Sequence, residues 1–435
     1  MANFRRADVE RATGASLRSW ADCGGEAAIT PTFPCVTSTV QASMWTGTGP
    51  AEHGVIANGF MHRDRPVPDV EFWVGRNGVV GGPQVWDELR ARRVSTAVWH
   101  AQNIKDAAAD FIVTPEPIHE PDGSTRLWCY SKPNGLYEEL LADLGHFPLM
   151  NYWGPMSGIA STRWILNAAL WLHERFRPKL QWIYIPHLDY AAQKFGPDSP
   201  QAKAAFSEFE NELDRFVDSI GAMTPRSRVA FVVAGEYAIT PVSGVVYPNR
   251  LLREAGLLNV RMEGGRELLD LSRSAAFAMV DHQFAHVFVQ DGDPGTIGRA
   301  AEILRSQKGV DAVYAGNKRR DVGLHHPRSG DAVAVCRSDS WMAYYWWLDD
   351  AAAPPFARTV DIHRKPGYDP VELFFDPVSR GIPLDAGLVR GSHGSPCLSA
   401  AQQAGLVCSR PGVIDGGVVY RDTDMKRVLL EALDM

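Results

Sequence analysis

The feature that most constrains the fold of this chain is an alternation of short apolar segments with longer segments whose apolar residues recur at helical intervals. Residues 95–100, 182–186 and 228–234 have the length and composition of buried strands. Residues 164–176 and 201–220 have the spacing of amphipathic helices. This alternation predicts an α/β fold with a mostly parallel central sheet and helices on both faces. Ligands of such folds bind beyond the carboxyl ends of the strands.

One long segment departs from this pattern. Residues 249–385 contain short strands, a helix near 294–306, and loops dense in Pro and Gly, which predicts an inserted α+β subdomain. Residues 1–248 and 386–435 would then form the core domain. Residues 1–36 contain no apolar strand of convincing length, so either the first strand is missing from this chain or the sheet is smaller. The aromatic run at 341–348 is interpreted as a buried strand.

Composition excludes several classes of partner. With 435 residues, 45% of them hydrophobic, and a formal net charge of -7, the chain is typical of globular proteins and lacks the basic surface that a nucleic-acid polymer requires. No apolar run approaches the roughly 18 residues of a membrane span. The six cysteines are scattered without a CxxC motif, which favours reduced thiols, and no apolar run follows the basic residues near the start. We therefore expect a cytoplasmic protein, with its oligomeric state open.

The segment PTFPCVTSTVQASMWTGTGPAEHGVIANG, residues 31–59, could carry chemistry. A hydroxyl at the start of a helix, as predicted for Thr37, lies where backbone N–H groups stabilise anions, so Thr37 could attack phosphorus. Asn58 could donate to a phosphoryl oxygen of the substrate. The alternative for Thr37 is a helix cap followed by a Gly-rich turn.

The whole segment resembles the nucleotide pyrophosphatase/phosphodiesterase family of the alkaline phosphatase superfamily. In that family an FPxxT nucleophile is followed by TG, P and HG(I/V)xxN, and later DxxGH, DHG and GxHG motifs help to bind two divalent metals. The resemblance implies an alkaline-phosphatase-like sandwich and assigns Thr37 as the nucleophile.

The later motifs occur here in the same order, with changes. PHLDYAAQKFGP keeps the acid as Asp189 and has Gln193 at the histidine position. VVAGEYAIT has Glu236 at the aspartate position of DHG and Tyr237 at the histidine position, whereas GSHG is intact and contains His393. The resemblance implies that these five side chains bind metal.

The altered ligands bear on which metal would bind. By resemblance, the first ion would contact Asp189, Gln193 and His393; the second would contact Thr37, Glu236, Tyr237 and an N-terminal Asp, for which Asp8 and Asp22 are the candidates. An amide oxygen and a phenol are poorer or harder donors than imidazole. We therefore expect a divalent metal, Mg²⁺ or Mn²⁺ rather than Zn²⁺, as one ion or two.

Two further clusters contain candidate residues. In VDHQFAHVFV, His282 and His286 are predicted to share one face of a strand, as a core pair or as replacement ligands. In ARTVDIHRKPGYDP, His363 and Lys365 could hold the non-reacting part of an anionic substrate, although a solvated loop is the alternative.

Two functions fit these observations. The first is a metal-dependent hydrolase that acts on a small phosphorylated substrate, a phosphodiester, pyrophosphate or related ester, through Thr37. The alternative is a catalytically inactive pseudoenzyme that binds a phosphorylated ligand or a partner protein in the same pocket. A dinucleotide-dependent oxidoreductase is disfavoured because no GxGxxG follows a strand.

Overall fold

The computed structural model describes residues 1–23, 25–119 and 125–435. Its helices are α1 Arg6–Glu10, α2 Ala15–Asp22, α3 Thr37–Thr46, α4 Pro50–His53, α5 Val85–Ala91, α6 Leu136–Leu144, α7 Ile159–Phe176, α8 His187–Phe195, α9 Pro200–Met223, α10 Pro248–Glu254, α11 Pro294–Arg305 and α12 Met425–Ala432.

The strands are β1 Glu26–Thr30, β2 Gly59–His62, β3 Asp69–Phe72, β4 Thr96–Trp99, β5 Phe111–Pro115, β6 Ile118–His119, β7 Thr125–Arg126, β8 Cys129–Lys132, β9 Leu180–Ile183, β10 Val232–Ala234, β11 Thr240–Pro241, β12 Gly244–Val246, β13 Val260–Glu263, β14 Arg266–Leu269, β15 Ala276–Asp281, β16 Phe284–Val289, β17 Val310–Ala315, β18 Ala332–Cys336, β19 Ser340–Met342, β20 Gly391–Ser392, β21 Ala404–Cys408 and β22 Val419–Arg421. The predicted helices correspond to α7 and α9, and the predicted core strands correspond to β4, β9 and β10.

Two four-stranded sheets form the core. In the order β8-β5-β4-β9, strand β4 is parallel to both β5 and β9, while β8 is antiparallel to β5. In the order β10-β21-β1-β22, strand β1 is parallel to β22, and β21 is antiparallel to both of its neighbours. The parallel pair β4 and β9 joins two of the predicted strands, whereas the predicted strand β10 is antiparallel to its neighbour β21.

Helices cover both faces of the β4 and β5 pair. Because side chains alternate along a strand, Ala97 and Trp99 pack in a cluster with α7 and α9, whereas Val98 packs in another with α3 and α5. Helix α9 begins where the Ser199 hydroxyl accepts from the Ala202 N–H, with Pro200 as its first residue. Helix α7 ends at Arg177, whose φ is 46°, just before Pro178. The arrangement confirms the predicted layers.

A third four-stranded sheet lies within the segment predicted as an insertion. Its order is β15-β16-β18-β17, all antiparallel, with α10 and α11 packed on it. Its apolar cluster continues into Phe33 and Val36, the residues that lead to α3. The boundary at 249–385 stays a prediction.

Three sequence-based expectations were wrong in detail. Strand β1 exists, although its apolar content of two alanines and one isoleucine is too weak a pattern to predict. The aromatic run at 341–348 is strand only to Met342; the next five residues are buried without regular structure, and Leu348 is 51% exposed. His282 lies in the turn between β15 and β16 with φ 59°, so it does not share a strand with His286.

No helix in the described part of the chain is long and apolar enough to cross a membrane. All six cysteines are free thiols.

Candidate active site

Thr37 is the first residue of α3. All ten residues of this helix are buried, because α3 packs between the sheet and α12. The next backbone N–H, that of Ser38, donates to Asn58 Oδ1 at 3.0 Å. The Thr37 hydroxyl therefore lies at the positive end of a buried helix, as predicted.

The other candidates follow the ends of strands or begin a helix. Asp189 and Gln193 lie one turn apart on α8, so they share one face of the helix. Glu236 and Tyr237 follow β10 after one intervening glycine, and His393 comes directly after β20. All five side chains are buried, and Tyr237 contacts Thr37 directly.

Tyr237 connects Thr37 to Asp189. Its phenol oxygen lies 3.1 Å from Thr37 Oγ1 and donates to Asp189 Oδ2 at 2.9 Å. Its ring lies parallel to that of His393, with 3.6 Å between centroids. Tyr237, at the family's histidine position, therefore contacts both Thr37 and a predicted metal ligand, Asp189, through one hydroxyl group.

His393 is fixed in orientation and tautomer. Its Nδ1 lies 2.7 Å from the carbonyl oxygen of Cys35, which can only accept, so Nδ1 carries the hydrogen and Nε2 the lone pair. Its other face contacts His282, with 3.8 Å between centroids, and His282 stacks on Tyr368 at 3.6 Å. Tyr368 in turn donates to Gln193 Oε1 at 2.9 Å.

Glu236 has a different set of partners. Gln41 Nε2 donates to its Oε1 at 2.7 Å, and the nitrogen of Met1 lies 3.8 Å from the same oxygen. Gln41 is on α3, one turn after Thr37, so this hydrogen bond connects Glu236 to the helix that begins with Thr37. Glu236 is 1% exposed.

Burial dominates the electrostatics of the site. It raises the pKa of Asp189 to about 8, although the hydrogen bond from Tyr237 opposes the shift. It also raises the pKa of Glu236 and lifts that of Tyr237 well above 10, so the phenol is neutral at physiological pH. Burial, with His282 adding to it, holds the pKa of His393 well below 6.5, so the imidazole is neutral too.

Asn58 is in the site but is held by an acid that the sequence analysis missed. Its backbone N–H and its Nδ2 donate to the two oxygens of Asp281, at 2.8 and 3.1 Å. Asp281 also contacts His282 Nδ1 at 2.6 Å, and burial raises its pKa to about 6. The sequence pattern that could have identified Asp281 is an acidic residue at the end of an otherwise apolar strand.

The predicted role of Lys365 is wrong in this structure. Its side chain is 1% exposed and its ammonium bonds to Asp369 at 2.9 Å and to Glu372 at 2.7 Å. The two carboxylates enclose the charge, so it does not reach an anionic substrate. His363 lies exposed on the preceding turn.

The two acids considered for the N-terminal Asp position do not join the site. Asp8 is buried in ion pairs with Arg5 and Arg11, and Asp22 pairs with Arg18 at 3.2 Å on the surface. Residues 1–3 instead run past the strand ends, where Asn3 bonds to Leu188 and Ile239.

The donors do not fit a two-metal centre. Asp189 Oδ1, Glu236 Oε2 and His393 Nε2 are buried without a hydrogen-bond partner among the described residues, as metal ligands would be. However, the neutral phenol of Tyr237 already bridges Asp189, which the resemblance assigns to the first ion, and Thr37, which it assigns to the second. The oxygen of Gln193 is taken by Tyr368. Across residues 1–23, 25–119 and 125–435, no three His, Cys, Asp or Glu side chains are grouped to hold a metal ion.

The helix-covered sheets and the buried hydroxyl at the start of α3 define an α/β protein with a candidate nucleophile beyond its strand ends. Comparison with known families matches residues 4–369 to the type I phosphodiesterase / nucleotide pyrophosphatase family. The chain belongs to this family, as the resemblance of its motifs predicted. It is also 20% identical, over 258 residues, to an uncharacterized pyrophosphatase/phosphodiesterase of Schizosaccharomyces pombe. That match covers 59% of this chain and 46% of the yeast protein, so it spans about half of the relative's length.

Solved structures share the fold. Phosphonoacetate hydrolase from Sinorhizobium meliloti 1021, in complex with phosphonoacetate, has a TM-score of 0.62 at 18% identity, over 99% of this chain and 94% of the other. Murine ectonucleotide pyrophosphatase / phosphodiesterase 5 has a TM-score of 0.62 at 13% identity, over 100% and 93%. An inactive threonine-to-alanine variant of the murine protein, in complex with AMP, has a TM-score of 0.61 at 12% identity, over 100% and 93%. The alkaline-phosphatase-like fold is thus confirmed.

Proposed function

We propose that this protein hydrolyses a small phosphodiester or pyrophosphate with Thr37 as the nucleophile. The observation that carries the proposal is the position of the Thr37 hydroxyl, at the start of buried helix α3 and in contact with Tyr237. Family membership supports the reaction class. The inactivity of a threonine-to-alanine variant of the murine relative supports a threonine nucleophile.

The chemistry needs few protein groups. Thr37 Oγ1 attacks phosphorus in line with the leaving oxygen and forms a phosphothreonine, which water then hydrolyses. The N-terminal end of α3 favours the negative charge that collects on the phosphoryl oxygens. Since the side chains do not fit the two metal ions of the family, no step of this proposal passes through an ion.

To reach Thr37, the substrate must displace the segment that carries Tyr368. The nucleophile is 4% exposed, and Tyr368 lies over the site through its hydrogen bond to Gln193 and its stack on His282. A cleft of about 900 Å³ borders the site where Phe33 and Pro396 line its wall, near the residues that lead to Thr37 and follow His393. We place the non-reacting part of the substrate in this cleft rather than at His363 and Lys365.

The alternative is a pseudoenzyme that binds a phosphorylated ligand without turnover. The observation that favours it is the same Tyr237 bridge, because a hydrogen-bonded Thr37 without a metal is a weak nucleophile. The free thiols of all six cysteines support, for either function, the proposal of a cytoplasmic location.

One experiment separates the two functions. Wild-type protein, Thr37→Ala and Thr37→Ser are assayed on an aryl phosphodiester and on a dinucleoside pyrophosphate, and acid-quenched samples are examined by mass spectrometry for phosphate on Thr37. The proposal expects turnover by the wild type, partial activity of Thr37→Ser, and none of Thr37→Ala. AMP binding by calorimetry with no turnover of either substrate would establish the pseudoenzyme instead.

A further inference from the structure

A buried acid near the end of the chain holds the segment that leads to Thr37. Asp422 is 0% exposed and directly follows β22. Its Oδ2 accepts from the Thr32 N–H at 2.8 Å, and its Oδ1 accepts from the Thr32 hydroxyl at 2.6 Å. The N–H of Thr423 also donates to Oδ1, at 2.9 Å. Both carboxyl oxygens are therefore used, and two of these three hydrogen bonds go to one residue of a distant segment.

The parallel pairing of β1 with β22 explains this contact. Both strands end at the pair formed by Thr30 and Arg421, so the residues that follow them leave the sheet at the same edge. Thr32 and Asp422 lie just beyond that edge. Helix α12, which begins at Met425, packs against α3 in one apolar cluster. The sheet and the two helices therefore fix where Asp422 lies relative to the start of α3.

Residues 31–36 connect β1 to α3, and side-chain contacts hold them at both ends. The segment contains two prolines, which have no N–H to donate, so the donors of Thr32 account for much of its hydrogen bonding. At the other end, the Cys35 carbonyl accepts from His393 Nδ1 at 2.7 Å. Asp422 therefore anchors the beginning of the segment, as His393 anchors its end.

We propose that Asp422 is a positioning residue that sets the place and direction of the Thr37 hydroxyl through residues 31–36. Asp422 acts through this backbone and not on the substrate, because it is fully buried and does not line the cleft. The proposal rests on the proposed hydrolase function. It goes beyond that function by assigning a role to a residue outside the range 4–369 that matches the family.

The decisive variant is Asp422→Asn, which keeps the size of the side chain. Its amide replaces one accepting oxygen by an NH₂ group, which cannot accept from Thr32. Burial raises the pKa of Asp422 to about 6, and the hydrogen bonds from Thr32 oppose this shift. Assays at about pH 8 therefore compare the amide with an ionised carboxylate.

The matched control is Glu210→Gln. Glu210 is a second buried acid with equivalent partners, since it accepts from the N–H of Thr13 at 2.8 Å, from the Thr13 hydroxyl at 3.3 Å and from the Gly14 N–H at 2.7 Å. It lies on α9 and holds a segment that contains no candidate site residue. Both variants lose comparable hydrogen bonds, so both should unfold at a lower urea concentration than the wild type.

The two variants should differ in the rate of attack. Quenched flow with mass spectrometry measures how fast the phosphoryl group of an aryl phosphodiester appears on Thr37, and steady-state assays give KM. Because a displacement of about 1 Å costs on the order of 10²-fold, Asp422→Asn should slow this step by about 10- to 100-fold. Its KM should change much less, since Asp422 does not line the cleft. Glu210→Gln should keep the wild-type rate.

A second variant, Thr32→Val, tests the same contact from the other side and covers the case in which Asp422→Asn does not fold. It removes the hydroxyl donor and keeps the hydrogen bond from the Thr32 N–H, so the rate should fall less, by roughly three- to tenfold. In the double variant the two losses should combine to less than their product, because both act on one contact.

Three results would overturn the positioning role and leave the Thr37 hydrolase intact. They are a wild-type rate of attack in folded Asp422→Asn or Thr32→Val, an equal loss of rate in Glu210→Gln, and a rise in KM of Asp422→Asn at an unchanged rate. Absence of any Thr37-dependent hydrolysis by the wild type would refute the proposed function, and the positioning role with it.

Discussion

The ring of Tyr237 lies 3.6 Å from that of His393, and the two planes differ by only 7°. The stack continues through His282 to Tyr368, which joins residues from four separate parts of the chain in one column. A histidine at the Tyr237 position could occupy the same place in this column. The substitution therefore keeps the packing of the site and changes its chemistry, from a metal ligand to a hydrogen-bonding hydroxyl.

Restoring the family's two histidines should create a metal site. We expect the double variant Gln193→His, Tyr237→His to retain at least one Zn²⁺ or Mn²⁺ per chain after dialysis, because two imidazoles would join the unpartnered atoms Asp189 Oδ1, Glu236 Oε2 and His393 Nε2. Elemental analysis measures this directly. The control is Gln193→His with Tyr237→Phe, which adds one imidazole only. Stoichiometric metal in the purified wild type would contradict the prediction.

Lys365 should prove structural. Replacing it by Met leaves Asp369 and Glu372 as buried, uncompensated acids, so we expect urea unfolding to report a loss of about 3–5 kcal/mol. Arg364→Met is the matched control; its side chain is 70% exposed, and the loss should stay within about 0.5 kcal/mol. A small stability change together with a large rise in KM would instead restore the substrate-binding role of Lys365.

The sequence was sufficient to predict the layers of the fold and the place of Thr37. Long periodic segments such as α7 and α9 bury one face each, and that periodicity is visible without tertiary information. The FPxxT segment likewise encodes its own local structure, a turn that leads into the start of α3. Short strands such as β1 were not predictable, because three small or medium apolar side chains do not make a pattern and only pairing with β21 and β22 makes them a strand.

The chemistry of the site depended on contacts between distant segments. Tyr237 was predicted as a poor metal ligand from its position in the motif, but its bridge from Thr37 to Asp189 joins residues 200 and 48 positions apart. Lys365 was assigned to substrate binding because its local sequence is basic. Its partner Glu372 lies on a short helix that follows Lys365 in the chain, and the sequence does not reveal that both side chains are buried.

Gly391 should be intolerant of any side chain. A Cβ at this position would lie 2.3 Å from the Ala192 carbonyl oxygen on α8, so Gly391→Ala must separate β20 from the helix that carries Asp189 and Gln193. We expect a loss of about 1–3 kcal/mol in urea unfolding and a fall in kcat of roughly tenfold or more. Gly298→Ala, in α11 with nothing within 4 Å, is the control and should gain about 0.5–1 kcal/mol. Equal stability of the two variants would contradict this prediction, because it would show that α8 can move away from β20 at little energetic cost.

Mild acid should destabilise the protein through His286. Its Nε2 donates to the Ile56 carbonyl at 3.0 Å and its Nδ1 accepts from the Gly330 N–H at 3.2 Å, so both nitrogens are used by the neutral ring. Burial lowers its pKa from 6.5 to about 4. Between these values the unfolded chain binds a proton that the folded chain does not. The contribution of His286 to the free energy of unfolding is therefore fully present above pH 6.5, and it falls as pH drops toward 4, by up to about 1.4 kcal/mol per pH unit.

The measurement is urea unfolding of wild type and His286→Gln at several pH values from 7.5 to about 4.5. His286→Gln should be the less stable at pH 7.5, because its amide cannot reproduce both hydrogen bonds, but its stability should fall less steeply with pH than that of the wild type. Val287→Ala, in the same fully buried strand, controls for destabilisation alone and should keep the wild-type slope. If His286→Gln and Val287→Ala have the same slope, His286 does not titrate in this range on unfolding. The acid sensitivity then comes from other groups whose pKa is lowered in the folded state, such as His53 and His100, whose pKa values burial lowers to about 3.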